Sequence, residues 1–377
     1  MELDLTWVLL GLPLAFALGW LASRLDLRQL RIENRQAPKA YFRGLNFLLN
    51  EQQDQAIDAF IEAVQNDPDT SELHFALGNL FRRRGEYERA VRVHEHLLSR
   101  ADLSRTDRDR AQHALALDFL KAGLLDRAEA ALRKLQGTAF EGQALLALLA
   151  IYERSRDWAQ ASDAARQLNA LGQGDFSGRR AHYLCEQALA VGAPDAERLL
   201  QEAHRTAPDA ARPGIELAAL QRRNGDAAAA FRTLAVAAQT APASIPLLAG
   251  PLAETARACG QQAAAREILR ASYERAPSLD VLEALALLES DPTAAREWYA
   301  RHLEREPSLV AAAKWIAGEK LEHEQFHPQV QRALDRAARP LTRYRCAACG
   351  FEAKQHFWQC PGCQAWDSYP ARRVEEL

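Results

Sequence analysis

The sequence predicts an all-α array of stacked helix pairs, with an apolar segment before it and a compact cysteine-rich segment after it. Three observations lead to this prediction. Residues recur with a period of 34, an 18-residue run near the N-terminus holds no charge, and four of the six cysteines lie within the last 32 residues. A helix pair of this size cannot bury its own apolar face, so such units must stack on one another.

The composition is that of a folded protein, with 48% hydrophobic and 26% charged residues among 377. A formal net charge of −3 gives the chain no general attraction for nucleic acid. Cys185 and Cys259 stand alone on helical patterns, while the other four cysteines are clustered. This is not the pattern of a secreted disulfide framework. It indicates one metal site and two buried thiols in a reducing compartment.

Residues 1–23 are predicted to form a transmembrane anchor. The uncharged run over residues 5–22 would make a helix of about 27 Å, close to a bilayer core of about 30 Å. Trp7 and Trp20 lie near its ends, where interfacial aromatic residues belong. Acidic residues precede the run and four arginines follow within a basic linker, residues 24–36, so the N-terminus is expected outside and the bulk in the cytoplasm. The alternative, a cleaved signal peptide, would carry a basic region before the apolar run.

Residues 37–340 are predicted to form the repeat array, with about nine units of which the later ones are degenerate. Gly44 recurs as Gly78 and Ala56 as Ala90, each 34 residues on. A glycine on the first helix of a unit and an alanine on the second let the two helices approach closely. Aromatic residues then fill the gaps between units, and proline or glycine ends the second helix.

This pattern resembles the tetratricopeptide repeat, which implies a right-handed superhelix of antiparallel helix pairs. In that fold the first helix of each unit lines a concave face that binds partners. On the second and third units this face is expected to present five polar residues to a partner. They are Asn79, Arg82, Arg83, His113 and Lys121. The alternative for each of them is an ordinary solvated helix face.

Residues 341–377 are predicted to form a small metal-binding domain. Two residues separate Cys346 from Cys349 and Cys360 from Cys363, and ten residues separate the pairs. Two such pairs can supply four thiolates to one tetrahedral metal ion. The segment resembles a rubredoxin-type ribbon, whose site holds zinc or iron. Zinc is the expected metal because nothing nearby suggests a redox partner, and its binding would supply much of the folding free energy of so small a domain.

His323 to His327 match the His-Glu-x-x-His pattern of zinc peptidases, in which the glutamate, here Glu324, is the general base. Pro328 follows at once, and a proline ring clashes with the carbonyl four residues earlier, so the helix is expected to end at His327. Asp335 is the one carboxylate in the next 24 residues, and no third ligand stands out. The chain is therefore expected not to be an enzyme.

The order of anchor, repeats and ribbon, with the string YRCAACGF…WQCPGCQAW over residues 344–366, closely resembles the lipopolysaccharide assembly protein B family. Segments 46–49 and 77–85 also match that family, and the resemblance is weakest over 210–340. It implies an inner-membrane adaptor of Gram-negative bacteria that brings the lipid A-committing deacetylase to the membrane protease FtsH. It also implies that a second inner-membrane protein, which senses lipopolysaccharide, restrains the adaptor through the transmembrane region.

Two other classes of function stay open on the residues alone. One is a generic membrane-tethered repeat scaffold for a different complex. A pull-down of its partners from solubilised membranes would distinguish it from the adaptor that the resemblance implies. The other is an iron-containing redox protein, which metal analysis would reveal. The sequence decides neither homo-oligomer formation nor whether the ribbon packs on the array.

Overall fold

The computed structural model describes residues 16–20, 39–66, 70–319 and 324–377, and most of these residues are helical. The predicted anchor and basic linker lie outside the described residues, except for residues 16–20, which are helical. Eighteen further helices fall within the described ranges. They are α1 (39–49), α2 (Gln53–Asn66), α3 (Ser71–Arg84), α4 (Tyr87–Ser99), α5 (Arg105–Lys121), α6 (Leu125–Arg133), α7 (Glu141–Ser155), α8 (Trp158–Ala170), α9 (Ser177–Leu189), α10 (Ala193–Thr206), α11 (Ala211–Arg223), α12 (Ala227–Thr240), α13 (Ile245–Cys259), α14 (Gln262–Arg275), α15 (Leu279–Leu288), α16 (Pro292–Arg305), α17 (Leu309–Ala317) and α18 (His327–Ala338). Two short strands follow, β1 (Tyr344–Arg345) and β2 (Glu352–Ala353).

The chain divides into two compact units, Met1–Ile151 and Tyr152–Leu377. In the first unit α2 to α6 pack consecutively, and α3 also touches α5. In the second unit α8 to α18 pack consecutively, and α9 touches α11, α11 touches α13 and α13 touches α15. Contact with both the next helix and the next but one is the arrangement of stacked helix pairs. The predicted all-α fold of tetratricopeptide type with a C-terminal ribbon is confirmed.

Within the part of the chain that the structure describes, no single helix is long and apolar enough to cross a bilayer. Two consecutive helical segments, Ala227–Thr240 and Pro242–Cys259, are long and apolar enough only when they are taken together. The angle between them is 115°.

Short turns connect the two helices of a pair, as the end of α3 shows. Gly85 has a φ of 85°, a left-handed conformation that glycine adopts without steric cost. Its N–H donates to the Arg82 carbonyl at 3.2 Å, and the Glu86 N–H donates to the Phe81 carbonyl at 2.9 Å. Two of the last carbonyls of α3 are thereby satisfied, and α4 begins within two residues.

The recurring glycines allow the close helix approach that the repeat pattern predicts. A Cβ added to Gly78 would lie 2.5 Å from Nε2 of His94 on α4, and one added to Gly44 would lie 2.8 Å from Cε2 of Phe60 on α2. Ala90 is fully buried on the second helix, as predicted. The glycine thus makes room for a ring on the partner helix of its own unit.

A buried polar network holds three helices of the first unit together. His94 and Asp118 are both fully buried, and His94 Nδ1 lies 2.5 Å from Asp118 Oδ2. Arg82 donates to the other oxygen of Asp118 at 2.8 Å, and it also donates to the side-chain oxygen of Asn79. Because the carboxylate has partners on both sides, its burial between α3, α4 and α5 is electrostatically balanced.

Gly78→Ala should lower the thermal unfolding temperature of the first unit. The new methyl group must displace the buried His94 ring, and overpacking of this kind costs about 1–3 kcal/mol. Thermal unfolding followed by circular dichroism measures the effect. Gly178→Ala is the matched control, since an added Cβ there meets nothing within 4 Å. Equal unfolding temperatures for Gly78→Ala and the parent protein would contradict this account of the glycine.

Candidate metal centre

The ribbon, residues 341–377, is built around two similar cysteine turns. The Gly350 N–H donates to the Cys346 carbonyl at 2.9 Å, and the Gln364 N–H donates to the Cys360 carbonyl at 2.8 Å. Gly350 has a φ of 77° and Gln364 a φ of 59°, so both turns end in the left-handed region. The second turn therefore repeats the first with a glutamine where the first has a glycine.

A small antiparallel hairpin carries the first turn. Tyr344 on β1 pairs with Ala353 on β2, and the Cys346 N–H donates to the Phe351 carbonyl at 2.9 Å. The Tyr369 hydroxyl donates to the same Phe351 carbonyl at 3.1 Å. These bonds fix the backbone beneath the first pair of sulfurs.

The structure brings all four predicted ligands together. Their sulfur atoms lie within 4.8 Å of one another. The Sγ atoms of Cys346 and Cys363 are 3.8 Å apart, and those of Cys349 and Cys360 are 3.7 Å apart. A tetrahedral ion with Zn–S bonds of about 2.3 Å needs sulfurs about 3.8 Å apart, whereas a disulfide needs about 2.05 Å. The sulfur positions therefore fit one shared metal ion.

The two sides of the centre differ in exposure and electrostatics. Cys346 and Cys360 are buried, whereas Cys349 and Cys363 are exposed. Hydrogen bonding with the Ser368 side chain, whose Oγ lies 3.3 Å from Cys346 Sγ, lowers the pKa of the Cys346 thiol to about 6. Since metals bind thiolates, this favours the ligand form of Cys346 at neutral pH. Ser368 was not predictable as a partner of the site, because nothing in the cysteine spacing marks it.

Four thiolates fill a tetrahedral coordination shell and leave no position for a substrate. A metal ion bound here would supply folding free energy to the ribbon, and an iron ion could in addition carry an electron. Residues of the ribbon other than the four cysteines make its contacts with the rest of the second unit.

The ribbon packs on helices of the second unit through Trp366. Its indole stacks on the His182 ring of α9 with 4.9 Å between ring centres. It meets Tyr183 and Trp158 edge-on, with ring centres 5.7 Å and 6.0 Å away. The indole N–H donates to the carboxylate of Glu153 on α7 at 3.0 Å. Aromatic contact and a satisfied N–H together make this tryptophan an anchor of the docked ribbon.

A contact between a histidine and a carboxylate lies beside this aromatic cluster. His182 is only 2% exposed, and its Nε2 lies 2.8 Å and 2.9 Å from the two carboxylate oxygens of Asp367. Because Nε2 faces a carboxylate, it is the nitrogen that carries the proton and donates. The contact fixes the angle at which the ribbon meets α9.

The C-terminal tail caps two repeat helices. The Glu375 carboxylate accepts from the Ser308 hydroxyl at 2.7 Å and from the Leu309 N–H at 2.6 Å, at the start of α17. Glu376 accepts from the Leu279 N–H at 2.8 Å, at the start of α15. Carboxylates at helix N-termini satisfy free N–H groups and interact favourably with the helix dipole.

Arg373 ties the same tail to α15 and to the ribbon hairpin. Its guanidinium donates to both oxygens of Asp280, with distances of 3.0 Å from Nε and 2.5 Å from Nη2. It also donates to the Thr342 carbonyl at 2.7 Å and lies 4.3 Å over the Tyr344 ring. The sequence did not decide whether the ribbon packs on the repeats, and in the second unit it does.

The five predicted groove residues lie in different environments of the first unit. Asn79 and Arg82 belong to the buried network described above, so their polar atoms are engaged within the unit. Arg83 and Lys121 are exposed. His113 is half-buried and stacks on Phe140, and burial lowers its pKa, with the Arg82 charge adding to the effect. Partner binding by these residues stays a prediction.

The His-Glu-x-x-His pattern does not lie on one continuous helix within the described residues. His323 is outside them, Glu324 belongs to a short 3-10 turn over Glu324–Phe326, and α18 begins at His327. The expectation that a helix ends at His327 was wrong, because Pro328 fits the first turn of a new helix. His327 Nε2 lies 3.1 Å from the Ile316 carbonyl, a contact that holds α18 against α17.

Fold and site together define a helical repeat protein that carries a docked four-cysteine ribbon. A family model described as rubredoxin metal binding domain matches residues 344–369. The chain is 33% identical over 394 residues to lipopolysaccharide assembly protein B of Escherichia coli K12, with 100% of each chain covered. It is 27% identical to the Haemophilus influenzae protein of the same name, covering 95% of this chain and 96% of the other. The chain belongs to the lipopolysaccharide assembly protein B family.

Solved structures of helical repeat proteins give weaker matches. A tetratricopeptide repeat protein from Parabacteroides merdae matches with a TM-score of 0.35 and 14% identity, over 67% of this chain and 98% of that one. The Naa15/Naa10 complex bound to HypK-THB matches with a TM-score of 0.46 and 15% identity, over 81% of this chain and 48% of that one.

Cys349→Ser should abolish metal binding and unfold the ribbon while the repeats stay helical, because three thiolates cannot replace four and the ribbon has too small a core to fold unaided. Metal content by mass spectrometry and helicity by circular dichroism give the result. Cys259→Ser, which changes a cysteine remote from the centre in sequence, should keep its metal. Unchanged metal content in Cys349→Ser would contradict the four-ligand assignment.

Glu375→Gln should destabilise the docked tail by about 1 kcal/mol, because a neutral amide interacts more weakly with the start of α17 than a carboxylate does. Urea unfolding followed by tryptophan fluorescence reports the change, since Trp366 of the docked ribbon contributes to the emission. Glu304→Gln alters an exposed glutamate of α16 and is the matched control. The tail contact would be energetically irrelevant if both variants unfolded at the same urea concentration.

Proposed function

We propose that this chain is a membrane-anchored adaptor, not an enzyme, that acts in lipopolysaccharide assembly. The observation that carries the proposal is the match over the whole length of both chains to lipopolysaccharide assembly protein B at 33% identity. The stacked helix pairs and the docked ribbon support it, because repeat folds of this kind offer extended binding surfaces.

In the proposed mechanism the adaptor brings the deacetylase that commits precursor to lipid A to the membrane protease FtsH. A predicted single-pass anchor over residues 1–23, with the N-terminus in the periplasm, holds the repeats on the cytoplasmic side of the inner membrane. Tethering both proteins to one membrane raises the effective concentration of the deacetylase at the protease. A second inner-membrane protein that senses lipopolysaccharide restrains the adaptor through the anchor.

The accessible first-helix residues of the first unit are the proposed contact for a partner. Arg83 and Lys121 are exposed there, and His113 is half-buried. In the second unit the ribbon and tail already contact α7, α9, α15 and α17. The first unit is therefore the better candidate for binding the deacetylase.

The proposed metal is a single zinc ion with a structural role. Two observations support a structural role for the metal. The four sulfurs form a closed site, and the ribbon that holds them contacts α7, α9, α15 and α17. Metal analysis of the purified protein distinguishes it from the alternative, since an iron-loaded ribbon would be red and would favour electron transfer.

Deletion of residues 1–23 should leave a folded protein that fails in the cell, so the deacetylase level should rise as it does in a full deletion. Glu324→Gln should leave the level unchanged, since an adaptor needs no general base. Immunoblots of the deacetylase in cells that carry each variant as the sole copy measure both outcomes. If Glu324→Gln raised the deacetylase level as much as the full deletion, the adaptor proposal would be wrong and a peptidase activity would have to be considered.

A further inference from the structure

A polar cleft of about 680 Å³ lies within the second unit, between the ribbon and the repeat helices. This edge cleft is lined by parts of residues 175–182 and 206–212, which precede and begin α9 and α11, and by Ser244 just before α13. The ribbon contributes Trp358 and Asp367 to the lining. The four cysteines and the tail glutamates do not line it, so metal binding and the tail do not account for the cleft.

Two deeply buried side chains in the lining each have one polar atom without a partner. Arg212 is 3% exposed, and it donates from Nε to Glu216 at 2.6 Å and from Nη2 to Glu186 at 2.7 Å. Its Nη1 has no acceptor among the described residues, and Nδ1 of the buried His182 has no partner there either. Since Nε2 of His182 carries the proton, Nδ1 is an acceptor. An unpaired donor and an unpaired acceptor, both costly when buried, indicate a ligand that supplies the complement of each.

The start of α11 adds further donors at the same place. Ala210, Ala211 and Arg212 all line the edge cleft, and Ala210, at the position that caps α11, makes no side-chain hydrogen bond. The starts of α15 and α17 in the same unit are capped by the tail glutamates. The first turn of α11 is thus open to an acceptor on a bound molecule.

The charges of the lining decide which kind of molecule fits. Both lining arginines already face carboxylates, Arg179 that of Glu153 at 3.0 Å and Arg212 the two described above. Three aspartates also line the cleft, and none of them pairs with an arginine or lysine of the described residues. They are Asp175, Asp209 and Asp367. The balance is acidic, so it opposes an anion and favours a cation joined to a neutral hydrogen-bonding group.

We propose that the edge cleft binds a short extended peptide segment of another protein that carries a lysine or an arginine. A main-chain carbonyl of the peptide accepts from Arg212 Nη1 and the start of α11, and a main-chain N–H donates to His182 Nδ1. Both contacts require small side-chain adjustments, which are common on binding. The basic side chain of the peptide pairs with Asp209, which is exposed.

The peptide main chain suits this cleft because it is neutral and carries a donor and an acceptor at every residue. The volume of the cleft is within the range of ligand sites. The site is separate from the contact proposed for the deacetylase in the first unit and does not depend on it.

A peptide array tests the site with the full chain, purified in detergent with its metal. The array carries heptapeptides with lysine, arginine, glutamine or glutamate at the centre and varied residues on both sides. Gly178→Tyr is the blocking variant, because Gly178 lines the cleft and a Cβ added there meets nothing within 4 Å. Circular dichroism checks that this variant is folded. We expect peptides with central lysine or arginine to bind the parent protein and to lose binding to Gly178→Tyr.

A charge variant measures the contribution of the carboxylate. Asp209→Asn should weaken binding of the strongest lysine peptide about two- to five-fold in fluorescence anisotropy, as expected for loss of an exposed ion pair. Glu304→Gln removes an exposed carboxylate of α16 that does not line the cleft, so it is the matched control and should leave the affinity unchanged. Spermidine, a cation without peptide bonds, should not displace the peptide when present at the same concentration.

Each contrary outcome overturns a stated part of the proposal. An array on which no peptide binds the parent protein, or on which Gly178→Tyr binds as the parent does, overturns the site. Strongest binding by peptides with central glutamate, or equal affinities of Asp209→Asn and the parent, overturns the pairing with Asp209. Displacement by spermidine shows a simple cation site in place of peptide recognition.

Discussion

The mutual placement of four cysteine sulfurs is the constraint on which the second unit depends. Four thiolates this close repel one another unless a cation is shared among them, so a bound metal would stabilise the folded ribbon. Only a folded ribbon can present Trp366, Asp367 and the tail glutamates at the right positions. Metal binding is therefore linked to helices α9, α15 and α17, which contribute no ligand to the metal.

The docked ribbon uses several kinds of interaction at separate points. An indole covers aromatic rings of α8 and α9, a buried histidine pairs with an aspartate, and glutamates complete the first turns of two helices. Each contact alone is worth little more than a few kcal/mol. Because they share one rigid ribbon, loss of its fold removes all of them at once.

Local patterns made the fold and the metal ligands predictable. The Gly44–Gly78 repeat requires only that two neighbouring helices meet, and two Cys-x-x-Cys turns specify a tetrahedral site by spacing alone. The docking was not predictable, because His182 and Asp367 are 185 residues apart and Glu153 and Trp366 are 213 apart. No periodic pattern links such residues. The start of α18 was mispredicted for a different reason, since a proline that breaks a helix also suits the first turn of one.

The position of the ribbon after the repeat helices has a consequence for biosynthesis. The ribosome releases the repeat helices first, so α9, α15 and α17 can fold before the ribbon that covers them has been made. During that interval the rings of Trp158 and Tyr183 lack the Trp366 indole, and the N-termini of α15 and α17 lack their glutamate partners. A chain cut short before residue 341 would keep these surfaces uncovered permanently. Cellular quality control recognises exposed apolar surface of this kind, so it would distinguish the shortened chain from the finished protein.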